Sequence, residues 1–245
     1  MGTWRSFDTD DDRRPLVQEA LAAGIDLFDT SPMYGRAEET LGRALAPDLR
    51  SATLVADKIW TPDAAEGRKQ AARAVAWYGG RVDVYQVHNL VAWQEHLTLL
   101  ESLKSEGKVG AIGATDYRES NFGDLAEVMR TGRLDMVQIP YNPLRREAEA
   151  VLLPLAEELG IGVFTMSPLQ GGILDRHPTL DQLAELAVAT WPQAILKWIV
   201  SDRRVSCVLT ATSRPGRPTE AALAGSPPFF DRAQRDLVAR IAAGT

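Results

Sequence analysis

The chain has 245 residues, 45% of them hydrophobic, and a formal net charge of −6 at pH 7. This composition can supply a sizeable core, and the acidic balance argues against a nucleic-acid partner. No run of about 18 uncharged apolar residues is present and no basic-then-apolar leader pattern opens the chain, so we expect no membrane span and a cytoplasmic location. The only cysteine is Cys207, which excludes an intramolecular disulfide. Three histidines without an H-E-x-x-H pattern predict no metal site.

Short apolar runs alternate with longer helical patterns along the chain. The apolar runs are rich in Val and Ile and lack regular polar alternation, which is typical of strands buried on both faces. The predicted strands are 25–29, 53–58, 82–88, 109–114, 136–139, 162–166 and 206–209. The predicted helices are 12–23, 37–46, 63–78, 92–106, 121–130, 146–159 and 179–200, the last broken before Pro192. Gly24, Gly107, Gly132 and Gly160 follow predicted helix ends, where a left-handed backbone favours glycine.

Repeated strand–helix units predict a parallel sheet, either open and doubly wound or closed as a barrel. No G-x-G-x-x-G follows an early strand, which argues against the open sheet that binds dinucleotides. Residues 1–4 could supply a short eighth strand, and eight is the number that a barrel of this kind needs. We therefore predict an α/β protein with a (β/α)8 TIM barrel whose first strand is truncated. The absence of a linker or a composition change predicts a single domain over residues 1–245.

Four polar side chains lie at or just after the carboxyl ends of neighbouring predicted strands: Asp29, Tyr34, Lys58 and His88. In a parallel barrel these ends open on one face. Each of these residues alone is more often a turn residue, a helix cap or a solvated side chain. The four together have the chemistry of a general acid with its supporting groups. A nearby ammonium lowers the pKa of a phenol, and a carboxylate holds that ammonium in place. We expect Lys58 and Asp29 to tune Tyr34 as a general acid, while neutral His88 orients a carbonyl. Such a reduction needs a hydride, which implies a nicotinamide cofactor.

A resemblance to a known family covers roughly residues 2–224. The stretch GIDLFDTSPMYGRAEETLGRAL, residues 24–45, resembles the hallmark of aldo-keto reductases, in particular a bacterial branch with an Asp-Thr-Ser-Pro-Met-Tyr-Gly loop. Five further stretches agree in order: ADKIW at 56–60, DVYQVHN at 83–89, LESLKSEGKVGAIGATDY at 100–117, VQIPYN at 137–142 and SPLQGG at 167–172. The resemblance implies a catalytic tetrad on the same four residues.

The resemblance also implies an NADPH site. Its matching positions are Thr115, Asp116, Gln138, Met166, Ser167, Leu169, Arg214, Arg217 and Glu220. Three positions depart from the family pattern, since Asp116 and Ala221 replace the usual Asn and Met166 replaces an aromatic ring. From the residues themselves, Pro218 suits the first turn of a helix whose amides attract anions. Arg214 and Arg217 could then hold a 2′-phosphate, which favours NADPH over NADH.

The predicted substrate is an aldehyde or ketone with a hydrophobic body. Four residues are predicted to line its pocket: Trp4, Trp60, Asn89 and Trp93. His96 and His177 are interpreted as surface residues. The segment after Ala224 is short and reads mostly as one amphipathic helix, so we expect an open pocket and loose substrate choice.

Alternative interpretations keep the barrel and change its use. Relative to the family the chain lacks an N-terminal hairpin, so either the true start lies upstream or the barrel is closed differently, for example by a second copy. The departures in the cofactor site leave open a non-redox lyase, isomerase or cyclase. A non-catalytic regulatory barrel is the third alternative, and the intact tetrad argues against it.

Overall fold

The apolar runs form a seven-stranded parallel sheet in which each strand pairs with the next along the chain. The computed structural model describes all 245 residues. Its strands are Leu27–Asp29 (β1), Leu54–Ile59 (β2), Val82–His88 (β3), Val109–Thr115 (β4), Met136–Pro140 (β5), Gly162–Met166 (β6) and Cys207–Val208 (β7). All seven fall on predicted strands, within a residue or two at each end.

Helices connect the strands and cover the outside of the sheet. They are Arg14–Ala22 (α1), Ala37–Leu45 (α2), Ala64–Trp77 (α3), Trp93–Ser105 (α4), Phe122–Arg130 (α5), Leu152–Leu159 (α6), Leu180–Glu185 (α7), Trp191–Val200 (α8), Arg217–Ala222 (α9) and Arg232–Ala243 (α10). The predicted break before Pro192 is present, and the Thr190 side chain caps the new helix by accepting from the Gln193 amide. None of the helices combines the length and the apolar character that crossing a membrane requires.

The predicted left-handed glycines after helix ends are confirmed. One predicted helix is several residues shorter in the structure. Gly24, Gly107, Gly132 and Gly160 have φ values of 87°, 75°, 72° and 67°, in the left-handed region that favours glycine. The helix predicted over 146–159 begins only at Leu152, because residues 147–149 form a separate 3-10 turn.

Residues 1–3 connect the two edges of the sheet. The Gly2 amide donates to the Thr210 carbonyl at 2.6 Å, and the Thr3 amide donates to the Asp29 carbonyl at 2.9 Å. Gly2 therefore makes parallel bridges both to Asp29 at the end of β1 and to Ala211 beyond β7. The predicted parallel α/β barrel is confirmed, with its first strand reduced to this short stretch.

The period of two along each strand places the polar residues directly above an apolar layer inside the sheet. The lower layer contains Ala56, Met136, Phe164 and Leu209, with Leu27, Val84 and Cys207 packed against it. Two residues further along their strands come Asp29, Lys58, Gln86, Gln138 and Met166. The floor of the candidate site is thus apolar, and its polar groups face the end of the barrel at which the strands finish.

Candidate active site

Lys58 and Asp29 form an ion pair that solvent does not reach. Lys58 Nζ donates to Asp29 Oδ1 at 2.7 Å and to the Thr30 carbonyl at 2.8 Å. The Lys58 side chain is 0% exposed and that of Asp29 is 4% exposed. Burial opposes the charged amine, but the attraction of Asp29 and Tyr34 outweighs it and raises the pKa of Lys58. The ammonium is therefore charged and held at a fixed place beneath the loop that follows β1.

Tyr34 lies over this ion pair. Its ring centroid is 5.3 Å from Lys58 Nζ and 5.0 Å from the Trp4 ring centroid. We expected the charge of Lys58 to lower the pKa of the phenol, and this contribution is present, but the expected net direction is wrong. Burial raises the pKa of Tyr34 and outweighs the opposing charge of Lys58, and that charge is already paired with Asp29. Tyr34 therefore keeps its proton at neutral pH, which suits a proton donor.

His88 stands edge-on to Tyr34 and is neutral. The two ring centroids are 6.0 Å apart at an interplanar angle of 89°. Burial, followed by the charge of Lys58, lowers the pKa of His88 to about 3. Its Nδ1 atom lies 2.8 Å from the Ser31 hydroxyl oxygen. The sequence prediction of a neutral imidazole beside the phenol agrees with this geometry.

Three of the four tetrad residues, Asp29, Tyr34 and His88, line a cleft of about 580 Å³, whereas Lys58 is buried behind its wall. Predicted site residues in its wall are Trp4, Asp29, Tyr34, His88, Asn89, Gln138, Met166, Ser167 and Leu169. A second cleft of about 410 Å³ is lined by Arg214, Arg217 and Glu220. The two clefts share Trp4, Arg5, Leu169, Thr210 and Ala211 in their walls. Together they form one groove that runs from the tetrad to the arginines, as an extended two-part cofactor requires.

The inner end of the groove offers one amide oxygen without a hydrogen-bond partner. Gln138 is buried and its Oε1 atom has no hydrogen-bond partner. Thr115 Oγ1 is also buried without a partner, but Thr115 does not line either cleft. A buried acceptor beside a cleft is costly unless a ligand completes it. Gln138 therefore fits a ligand that brings an N–H donor, such as a nicotinamide carboxamide.

Asp116 is engaged elsewhere. Arg118 donates to its two carboxylate oxygens at 3.0 and 2.8 Å, and Asn121 Nδ2 donates at 2.9 Å. Burial opposes ionisation of this carboxyl, but these hydrogen bonds outweigh burial and lower the pKa of Asp116. Asp116 is absent from the walls of both clefts. Its contact with a cofactor remains a prediction from the resemblance.

The outer end of the groove differs from the expected phosphate fork. Arg217 forms an ion pair with Glu220, which also accepts from the Thr190 hydroxyl at 2.8 Å. Helix α9 has only six residues, and the amides of Gly216 and Thr219 donate to the Glu19 carboxylate at 3.0 and 3.4 Å. The amides do attract an anion, but here it is the Glu19 carboxylate, and phosphate binding at this end of the groove stays a prediction.

The predicted substrate residues separate into two groups. Trp4 and Asn89 line the cleft of the tetrad. Trp60 lines a different cleft of about 550 Å³ beside Glu38 and Trp77. Trp93 begins α4 and lines none of these three clefts.

One of the two histidines assigned to the surface is buried. His96 is 1% exposed, and its Nε2 atom lies 2.7 Å from the Thr61 carbonyl oxygen. The expected surface position of His96 is therefore wrong. It fits inside because Gly67 has no side chain, and a Cβ there would lie 2.5 Å from the imidazole. His177 is exposed, as expected.

Ser31 and Arg5 are among the residues of the site that sequence reasoning missed. Ser31 contacts His88 within the site, yet a Ser after a strand ordinarily indicates a turn. Arg5 lines both clefts and lies 5.4 Å from the Trp4 ring centroid. Its left-handed φ of 57° directs the chain there and carries no signal in the sequence. No group of three or more His, Cys, Asp or Glu side chains in the structure could hold a metal ion.

Comparison with known proteins identifies the class to which this barrel and site belong. A family model described as the Aldo/keto reductase family matches residues 1–231. The chain belongs to the aldo/keto reductase family.

Named relatives are similar over most of the chain. An NADH-specific methylglyoxal reductase of Escherichia coli (strain K12) is 30% identical over 224 residues, covering 74% of this chain and 66% of that protein. An aldo-keto reductase of Mycobacterium sp. (strain KMS) is 31% identical over 208 residues, covering 81% of this chain and 73% of that protein. The chain thus spans slightly less than two thirds of the E. coli relative.

Solved structures share the fold. An aldo-keto reductase from Klebsiella pneumoniae in complex with NADPH superposes with a TM-score of 0.83 at 18% identity, covering 99% of this chain and 89% of that chain. The holo form of an aldo-keto reductase from Bacillus halodurans gives a TM-score of 0.76 at 22% identity, covering 95% of this chain and 88% of that chain. At these identities the similarity shows the fold alone.

Proposed function

We propose that the protein reduces an aldehyde or ketone to an alcohol, with NADPH as its cofactor and Tyr34 as the general acid. The observation that carries the proposal is the buried Lys58–Asp29 ion pair, 2.7 Å in length, directly beneath the phenol in an open cleft. A buried charge pair is expensive to desolvate, and a purely structural barrel does not require one at this place. Strongly perturbed groups that converge in a cleft are typical of catalytic sites.

Each side chain of the site has a separate role at the carbonyl oxygen. Tyr34 is neutral and donates its proton to the oxygen as negative charge develops there. Lys58 stabilises the phenolate that remains, and Asp29 keeps the ammonium charged and in place. Neutral His88 donates a hydrogen bond that orients the oxygen. Trp4, Met33 and Leu169 line the same cleft and provide an apolar wall for the body of the substrate.

The groove fits a nicotinamide dinucleotide. When bound, NADPH supplies the hydride that no side chain can supply. Gln138 would hold the carboxamide, and Arg214 and Arg217 would face the phosphate end. Structures of this fold are named as complexes with NADPH or NADP, whereas the E. coli relative is named NADH-specific. The choice of NADPH rests mainly on Arg214 in the wall of the groove, because Arg217 beside it is paired with Glu220.

A titration followed by nicotinamide fluorescence tests cofactor binding, and NADPH and NADH are compared in parallel. Turnover is then measured by the loss of absorbance of the reduced cofactor. The two substrates are methylglyoxal, which appears in the names of two E. coli relatives, and an aromatic aldehyde. We expect NADPH to bind and both aldehydes to be reduced. If neither dinucleotide binds, the proposal is refuted and the non-redox interpretation is favoured.

Further predictions belong with this proposal and await their own tests. They are that residues 1–245 form one domain, that the protein is cytoplasmic, that it binds neither nucleic acid nor membrane, and that it forms a homo-oligomer, which closure of the barrel does not require because Gly2 already bridges both edges of the sheet. Sedimentation of the purified chain measures the last of these.

A further inference from the structure

We propose that Ser31 is a positioning residue that fixes the tautomer of His88, so that the imidazole proton is on Nε2 and faces the cleft. Its consequence for catalysis rests on the proposed carbonyl reduction, whereas the tautomer itself is a property of the free protein. The hydroxyl oxygen of Ser31 and Nδ1 of His88 are 2.8 Å apart. Ser31 is 0% exposed and His88 is 7% exposed.

The direction of this hydrogen bond follows from the other contact of the hydroxyl. Ser31 Oγ accepts from the Met33 amide at 3.2 Å. The hydroxyl carries one hydrogen of its own, and His88 Nδ1 is the acceptor within reach of it. If Nδ1 carried the proton instead, Ser31 Oγ would receive two donors and its own hydrogen would be buried without a partner. Burying an unpaired donor is costly, so Ser31 donates and Nδ1 accepts.

A neutral imidazole that accepts at Nδ1 carries its proton on Nε2. His88 is neutral at pH 7 because burial and the charge of Lys58 lower its pKa to about 3. Nε2 makes no hydrogen bond within the protein, and His88 lines the cleft of about 580 Å³. The Nε2–H group is thus free to donate to a carbonyl oxygen. The opposite tautomer would present a lone pair to that oxygen and lose the contact.

Ser31 also connects His88 to the general acid. The Tyr34 amide donates to the Ser31 carbonyl at 3.0 Å, so one residue anchors the loop of the phenol through its backbone and the imidazole through its side chain. The two groups that would share a carbonyl oxygen are therefore placed by the same short turn. A Ser at this position does more than shape the loop.

Long-range proton–nitrogen NMR of the uniformly ¹⁵N-labelled free protein at pH 7 tests the assignment. We expect His88 to show an unprotonated Nδ1 and a protonated Nε2, with its signals identified by their loss in His88→Asn. Ser31→Ala should move the two nitrogen shifts towards a mixture of tautomers, and Ser31→Thr, which keeps a hydroxyl, should retain the parental pattern. A protonated Nδ1 in the unmutated protein, or an unchanged spectrum in Ser31→Ala, would overturn the proposal.

Turnover provides the second readout. Loss of one neutral hydrogen bond corresponds to about 2- to 12-fold, so kcat of Ser31→Ala should fall by that factor while the KM for the dinucleotide is unchanged. Ser102→Ala is the matched control, because it removes a serine hydroxyl on the exposed side of α4. Ser31→Thr should recover most of the rate. An equal loss in Ser31→Thr and Ser31→Ala would show that packing, and not the hydroxyl, is responsible. The NMR result stands even if the protein reduces no carbonyl, so the two proposals fail separately.

Discussion

Substitution of Lys58 by Met removes one charge from an ion pair that water does not reach. The side chains of Lys58 and Asp29 are 0% and 4% exposed, and their charged atoms are 2.7 Å apart. Met keeps the length of the lysine chain, so the main change is an uncompensated carboxylate in the barrel. Removing one partner of a buried pair costs about 3–5 kcal/mol. For a domain of this size 1 kcal/mol shifts Tm by roughly 2–4 °C, so we expect Tm to fall by about 6–20 °C.

Urea unfolding at pH 7 measures this loss, with Lys104→Met as the matched control. Lys104 also lies near a carboxylate, 2.6 Å from Asp135, but these side chains are 41% and 43% exposed. An exposed pair contributes about 0–1 kcal/mol, so the control should unfold close to the parent. Asp29→Asn combined with Lys58→Met removes the remaining charge, and the double variant should regain part of the stability.

The pH dependence has a definite sign. The pKa of Lys58 is raised in the folded state, so its stabilisation is fully present below the ordinary lysine pKa of about 10.4. The difference in the free energy of unfolding between the parent and Lys58→Met should therefore stay constant from roughly pH 6 to 9. It should shrink only as pH rises through the raised pKa of Lys58. If Lys58→Met loses no more stability than Lys104→Met, the claim that the Lys58–Asp29 pair is desolvated is refuted.

Three further substitutions test the site. Tyr34→Phe should lower the rate of carbonyl reduction by about 10²–10⁴-fold. In the parent protein the rate should decline only above pH about 10, because burial raises the pKa of Tyr34. A decline near neutral pH would contradict this expectation. Arg214→Glu should weaken the binding of NADPH by about 10- to 150-fold and that of NADH much less, since a charge-assisted contact contributes roughly 1.5–3 kcal/mol. Fluorescence titration measures both affinities, and equal losses of affinity would exclude a role of Arg214 at the 2′-phosphate. Gln138→Leu should weaken both dinucleotides to a similar extent, yet leave the free protein at least as stable in urea, because it removes a buried unpaired oxygen. Lower stability would show that the contact of the amide nitrogen with Met166 Sδ outweighs the cost of that oxygen.

The sequence predicts the parts of this molecule that depend on local pattern. Apolar runs without alternation locate all seven strands, and glycines just past helix ends mark where helices stop. The main site follows from the same local information. Residues at the carboxyl ends of parallel strands converge, so Asp29, Lys58 and His88 could be placed together before any distance was known.

The sequence does not predict features that depend on burial or on distant partners. The pKa of Tyr34 is raised and not lowered, because the depth of the phenol outweighs a lysine charge that Asp29 already balances. His96 is buried because Gly67, far away in sequence, leaves room for its ring. Spacing along the chain indicates which residues share a face, but it does not indicate how much water remains around them.

The loop before α9 shows how such contacts bear on cofactor choice. Two arginines there suggested a strongly positive site, but each neighbouring carboxylate removes part of that charge. Arg217 is paired with Glu220, and Glu19 accepts from the amides of Gly216 and Thr219. Of the two arginines predicted to hold the phosphate, Arg214 is the one without an ion pair, and its guanidinium is therefore free to meet a phosphate. Discrimination between NADPH and NADH then depends mainly on one exposed charge, which salt screens readily. We therefore expect the preference for NADPH to weaken as ionic strength rises, and more steeply than binding of NADH does.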